Sequence, residues 1–93
     1  MKDSNENLNH LRTQVDELDA QLLVLLSERL SLARRMGQIK NAQARPMRDP
    51  TREQQVLRRL TELNSKLQRD VPQDCLEDVF HVIMDWSLKV QLK

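Results

Sequence analysis

Between Leu8 and Lys40 two apolar ladders run at a seven-residue interval. One is Leu11, Leu18, Leu25, Leu32 and Ile39; the other is Leu8, Val15, Leu22, Arg29 and Met36. Interleaved three and four residues apart, the rows form one stripe along a long α-helix that continues to about Asn41. Arg29 stands where the second ladder requires a hydrophobe. A guanidinium cannot shed its proton, so burying it needs an anionic partner. No acid in the neighbouring rungs supplies one. Arg29 therefore reaches out to water or faces an anion that this helix does not carry.

The helix is long for its chain. Roughly 35 residues at 1.5 Å each extend about 50 Å, whereas a compact chain of this size is about 32 Å across. A stripe that overhangs its own domain needs a second chain to cover it, and a helical homodimer is the simplest closed arrangement. Gly37 interrupts the helix late and marks either close packing or the approach of something else there. Met1 to Asn7 is polar and expected to fray, with Ser4 or Asn5 as the expected N-cap. Asp49-Pro50 then reads as a start signal, the acid capping and the proline fitting the first turn. The second helix runs from Pro50 to about Gln68, with Val56, Leu60, Leu63 and Leu67 on one face. Arg69 to Pro72 breaks it. The third begins near Pro72 and carries Leu76, Val79, Phe80, Ile83 and Val90 toward the core. Residues 1–93 thus read as one domain of three unequal helices.

Composition agrees with an all-α fold: there is one Gly, and Phe80 and Trp86 are the aromatic residues. A formal charge of +1 gives no case for nucleic acid or an anionic membrane as partner. Cys75 is the one cysteine, which excludes an internal disulfide and suits a reducing compartment. The first ten residues lack the apolar core of a signal peptide, and no stretch is long and apolar enough for a bilayer. The expected location is the cytoplasm.

Charge placement along the stripe is more informative. Arg29, Arg34, Arg35, Lys40, Arg45 and Arg48 fall in a run that contains no acid. Arg34 and Arg35 read as a solvated face. Lys40 follows Arg29 by eleven residues, three turns plus about 20°, so both lie on nearly one face about 16 Å apart. Arg12 precedes Arg29 by seventeen residues and is rotated about 100° from that face. It more naturally serves a different site, across a dimer axis. On the second helix, Asp49, Arg52 and Glu53 approach the core from the N-terminal end. On the third, Ser87 and Gln91 continue the Phe80–Ile83 face as polar groups.

Taken singly, these are a cap, a surface ion pair and a fraying helix end. Together they point cations, a carboxylate and two neutral hydrogen-bonders at one interior, and the positive excess asks for an anion. A dicarboxylate fits, because arginine binds carboxylate through two parallel hydrogen bonds. His10 and His81 form no nucleophile–base set with Cys75 or a serine, and no metal-ligand spacing is present. The pattern suits electrostatic complementarity without covalent chemistry, metal or cofactor.

With these residues in view, the chain resembles the all-helical chorismate mutases of the shikimate pathway from about Leu8 to Gln91. The resemblance is carried by LRTQVDELDAQLLVLLSERLSLARRMGQIK, RPMRDPTREQQVLRRL and FHVIMDWSLKVQ, with D-P-x-R-E and S-x-x-x-Q in order. It implies an intertwined homodimer with shared sites, rearranging chorismate to prephenate in phenylalanine and tyrosine biosynthesis without a cofactor. By the same resemblance Arg12 reaches a substrate carboxylate from the partner chain, and Arg29 binds a carboxylate from its own. Lys40 contacts a carboxylate and the ether oxygen, and Gln91 is the second donor to that oxygen. Asp49 and Glu53 meet the ring hydroxyl, Arg52 stands beside them, and Ser87 lies near a carboxylate. Lys40, Gln91, Arg29 and Glu53 are the expected catalytic set. Trp86, where a smaller polar residue is common, is expected to reshape the back of the site, and the connection before Val71 is slightly long. The rival readings are isochorismate pyruvate lyase or aminodeoxychorismate mutase on the same fold, and a non-catalytic helical dimerisation module.

Overall fold

The computed structural model describes residues 7–92, which form three helices and no strand. Helix α1 spans Leu8–Ala42, α2 Pro50–Lys66 and α3 Gln73–Gln91. Ser4 and Asn5 lie outside the described residues. The cap of α1 is Asn7, whose side chain accepts from the His10 N–H at 2.8 Å. Asp49 caps α2 by accepting from the Arg52 N–H at 3.0 Å, and Pro50 opens the first turn. Leu67, expected on the inward face of α2, is its C-cap and is exposed, whereas Val56, Leu60 and Leu63 of that face are half-buried.

Helices α1 and α2 end alike. Two residues past each last turn the chain enters the left-handed region, at Ala44 with φ 55° and Gln68 with φ 52°. The next N–H folds back onto the helix, Arg45 to the Lys40 carbonyl at 2.8 Å and Arg69 to the Asn64 carbonyl at 3.1 Å. Asp70, with φ 57°, turns the chain again. Asn64 then brackets Val71, donating to its carbonyl at 2.7 Å and accepting from its N–H at 3.1 Å. That clasp sets the start of α3.

Helix α3 is the hinge of the packing, touching both α1 and α2, which do not pack on each other. Leu76, Met84 and Val90 of α3 and Ala33 of α1 are the buried apolar residues. Two small residues one turn apart, Ala33 and Gly37, let α3 approach the last turns of α1. The N-terminal two thirds of α1 has no such cover. Leu22 and Leu25 are each 61% exposed, and the described chain measures 63 × 25 × 17 Å with a radius of gyration of 17.5 Å. A compact chain of this length has a radius near 12 Å. An apolar groove of about 630 Å³ runs between Leu22, Leu25 and Leu26 of α1 and Val79, Val82 and Ile83 of α3. Val79, expected in the core, is exposed here because it faces that groove and nothing within the chain fills it.

Candidate active site

The C-terminal half of α1, the strap from Met47 to Asp49, the first turns of α2 and the last turns of α3 enclose a cavity of about 250 Å³. Arg29 and Lys40 enter it from α1, Asp49, Arg52 and Glu53 from α2 and its cap, and Ser87 and Gln91 from α3. Seven of the eight residues singled out in the sequence thus line one space. The exception is Arg12. It stands about 26 Å from Arg29 along the α1 axis, is exposed, and lines no part of this cavity.

Two hydrogen-bonded pairs tie α1 to α3. Arg29 Nη1 donates to Ser87 Oγ. Ser87, only 7% exposed, donates in turn to the Ile83 carbonyl at 2.9 Å, so its one proton is committed. Lys40 Nζ donates to Gln91 Oε1 at 2.9 Å and to the Met47 carbonyl at 2.7 Å. An ammonium has donors only, so it engages the amide oxygen of Gln91 and leaves the amide NH₂ free to donate elsewhere.

Charge inside the cavity is unbalanced. Four cations line it, Arg29, Lys40, Arg48 and Arg52, against the carboxylates of Asp49 and Glu53. Glu53 is taken by Arg48 at 3.6 Å, and one Asp49 oxygen serves the helix cap. Among the described residues no carboxylate lies within ion-pair distance of Arg29. Burial holds the Arg29 guanidinium below its usual pKa, and the nearby charge of Arg52 pushes the same way. A part-buried arginine with a second arginine beside it and no acid is a half-built anion site.

Sequence reasoning had no signal for the Met47 carbonyl, which is backbone, and placed Arg48 only in a charge run. Both belong to the strap wall. Trp86 is a correction. It is 47% exposed, lines no part of the cavity, and lies under the Lys89 ammonium, 4.3 Å from its ring centre. One residue before Ser87 is about 100° around the helix, which turns the indole outward. Among the described residues no cluster of three His, Cys, Asp or Glu side chains gathers, and no helix is long and apolar enough to cross a membrane.

Residues 11–92 match the family model of chorismate mutase type II. The chain belongs to the chorismate mutase type II family. The match covers α2, α3, all of α1 but its first three residues, and every cavity residue named above. The chain is 34% identical over 89 residues to the bifunctional chorismate mutase/prephenate dehydratase of Aquifex aeolicus, covering 95% of this chain but 25% of that protein. It therefore spans a quarter of that relative's length. It is 30% identical over 86 residues to the chorismate mutase of Methanocaldococcus jannaschii, covering 92% of this chain and 85% of the other. Among solved structures, a conserved hypothetical protein from Pyrococcus furiosus superposes with a TM-score of 0.71 at 33% identity, covering 90% of this chain and 93% of that one.

Proposed function

We propose that this chain rearranges chorismate to prephenate, an isomerisation within one molecule, in a site shared between two copies. The observation that carries the reading is the unpaired arginine–lysine set of the cavity together with family membership. In chorismate the ring and the enolpyruvyl group each bear a carboxylate. Arg29 and a second cation can hold these two anions so that the reacting carbons are pressed together, which lowers the entropic part of the barrier. As the C–O bond breaks, negative charge grows on the ether oxygen. The free NH₂ of Gln91 and the Lys40 ammonium would donate to it, stabilising the transition state more than the bound substrate. Glu53 and Asp49 face the same space and would take the ring hydroxyl.

Arg12 enters this reading through a second copy. Two α1 helices crossing antiparallel about a two-fold axis near Ala20–Gln21 would set Arg12 of one chain opposite Arg29 of the other. The same crossing would bury the exposed leucine stripe and fill the Val79 groove. An apolar surface of this size is otherwise unusual on a lone chain.

Chorismate, followed by its absorbance, should disappear on adding the purified protein, with prephenate as product. A folded protein that leaves chorismate untouched, or that instead releases pyruvate from isochorismate, overturns the reaction. The shared site has its own test. Arg12→Ala and Lys40→Ala chains should each be nearly inactive alone. After exchange of chains, the mixed dimer has one site with both defects and one with neither, so about a quarter of wild-type activity should return. No recovery after verified exchange removes Arg12 from the site.

A further inference from the structure

Gly37 lies one turn before Lys40 on α1, buried against the end of α3. A Cβ built on it would stand 2.8 Å from Gln91 Cα, 2.9 Å from Gln91 Cβ and 2.9 Å from the Gln91 carbonyl oxygen. The first and third of these are backbone atoms, so no rotamer change at residue 91 relieves them. Whatever sits at position 37 therefore fixes how near the backbone of Gln91 comes to α1. Three residues further on, Lys40 Nζ meets Gln91 Oε1 at 2.9 Å. The approach of two backbones and the hydrogen bond of two side chains are one geometric fact.

We infer that Gly37 is a positioning residue for the Lys40–Gln91 pair. The missing side chain at 37 lets α3 close until the Gln91 amide oxygen is held by Lys40 and its NH₂ is left free to donate. The inference deepens the mutase reading and rests on it for its kinetic consequence. Arg29 lies more than two turns from Gly37 on α1, and Ser87, one turn from Gln91 on α3, is held by its own bonds to Arg29 and the Ile83 carbonyl, so the Arg29 hold on a carboxylate is separable from the ether-oxygen donors. Alanine at 37 must displace the end of α3 by several tenths of an ångström or more. Misplacement on the scale of 1 Å can cost about 10²-fold in rate.

Gly37→Ala should thus lower kcat by about 10–100-fold while KM for chorismate changes less than about threefold. Its circular dichroism should remain that of the folded helical protein. In a Gln91→Ala background the same substitution should cost little more, because the contact it disturbs is already gone. A readout without substrate accompanies these. The Gln91 side-chain amide resonances, assigned by their loss in Gln91→Ala, should shift in unliganded Gly37→Ala and likewise in Lys40→Met. If the wild type turns over no chorismate, the mutase reading fails, while the amide shifts still judge Gly37. Unmoved resonances, an unchanged kcat, additive losses in the double variant, or a Gly37→Ala chain that does not fold would each overturn the assignment.

Discussion

Replacing Arg29 with leucine should cut kcat/KM by about 10³-fold and leave the unfolding temperature unchanged or higher. The two halves of that result have separate causes. The fold disfavours the charge it carries: the pKa of Arg29 is lowered by burial and by Arg52. A lowered pKa in a cation means that the protonated form is less stable in the folded than in the unfolded chain. Arginine is protonated throughout the accessible range, so this cost is present at every working pH and gives no pH slope. Leucine removes it and completes the second apolar ladder. The loss is one hydrogen bond to Ser87, about 1 kcal/mol, and Ser87 keeps its bond to Ile83. No buried charge is orphaned, because no acid pairs with Arg29 among the described residues. Thermal melts beside steady-state rates decide it. A large drop in melting temperature would make Arg29 a structural residue.

Gln91→Glu should turn a nearly pH-independent enzyme into an acid-dependent one. In the wild type the Gln91 amide donates to the ether oxygen at any pH, because an amide does not titrate. The chemical step should therefore be nearly flat from about pH 5 to 8. A glutamate at 91 would still meet Lys40, now as a carboxylate, and the ammonium would favour its charged form. Ionised, it presents an acceptor where a donor is needed. The rate near pH 7.5 should fall by about 10²–10³-fold and rise as pH drops toward the carboxylic-acid range. Profiles of kcat against pH for the two proteins settle it. A wild-type rate that falls steeply between about pH 5 and 7, or an unaltered profile in the variant, would remove Gln91 as a donor.

Much of this arrangement was legible in the sequence because helices impose a fixed angle per residue. The heptad ladders located α1, Asp49-Pro50 the start of α2, and the break before Pro72 the start of α3. The angular bookkeeping that set Arg29 and Lys40 on one face, and Ser87 and Gln91 on another, brings them together around a single cavity. What was hidden has no period. The Met47 carbonyl is main chain in a strap of irregular structure, and Arg48 beside it has no helical face to betray its direction. The cap of α1 fell to Asn7, the last of several polar residues any of which could have served. Val79 was placed inward from its spacing, but one chain alone leaves that flank open.

The chain's one glycine stands at a crossing of helices, while Ala44 and Gln68 fill left-handed turns with residues that carry side chains. In evolutionary terms this distribution is a reserve. An ordinary residue in the left-handed conformation lies about 1 kcal/mol above glycine, and neither of these two borders the cavity. A lineage that acquired a destabilising but useful change in the site could recover its fold at these two turn positions, which line no part of the cavity. Gly37 offers no such freedom, since there the absent side chain is itself the requirement.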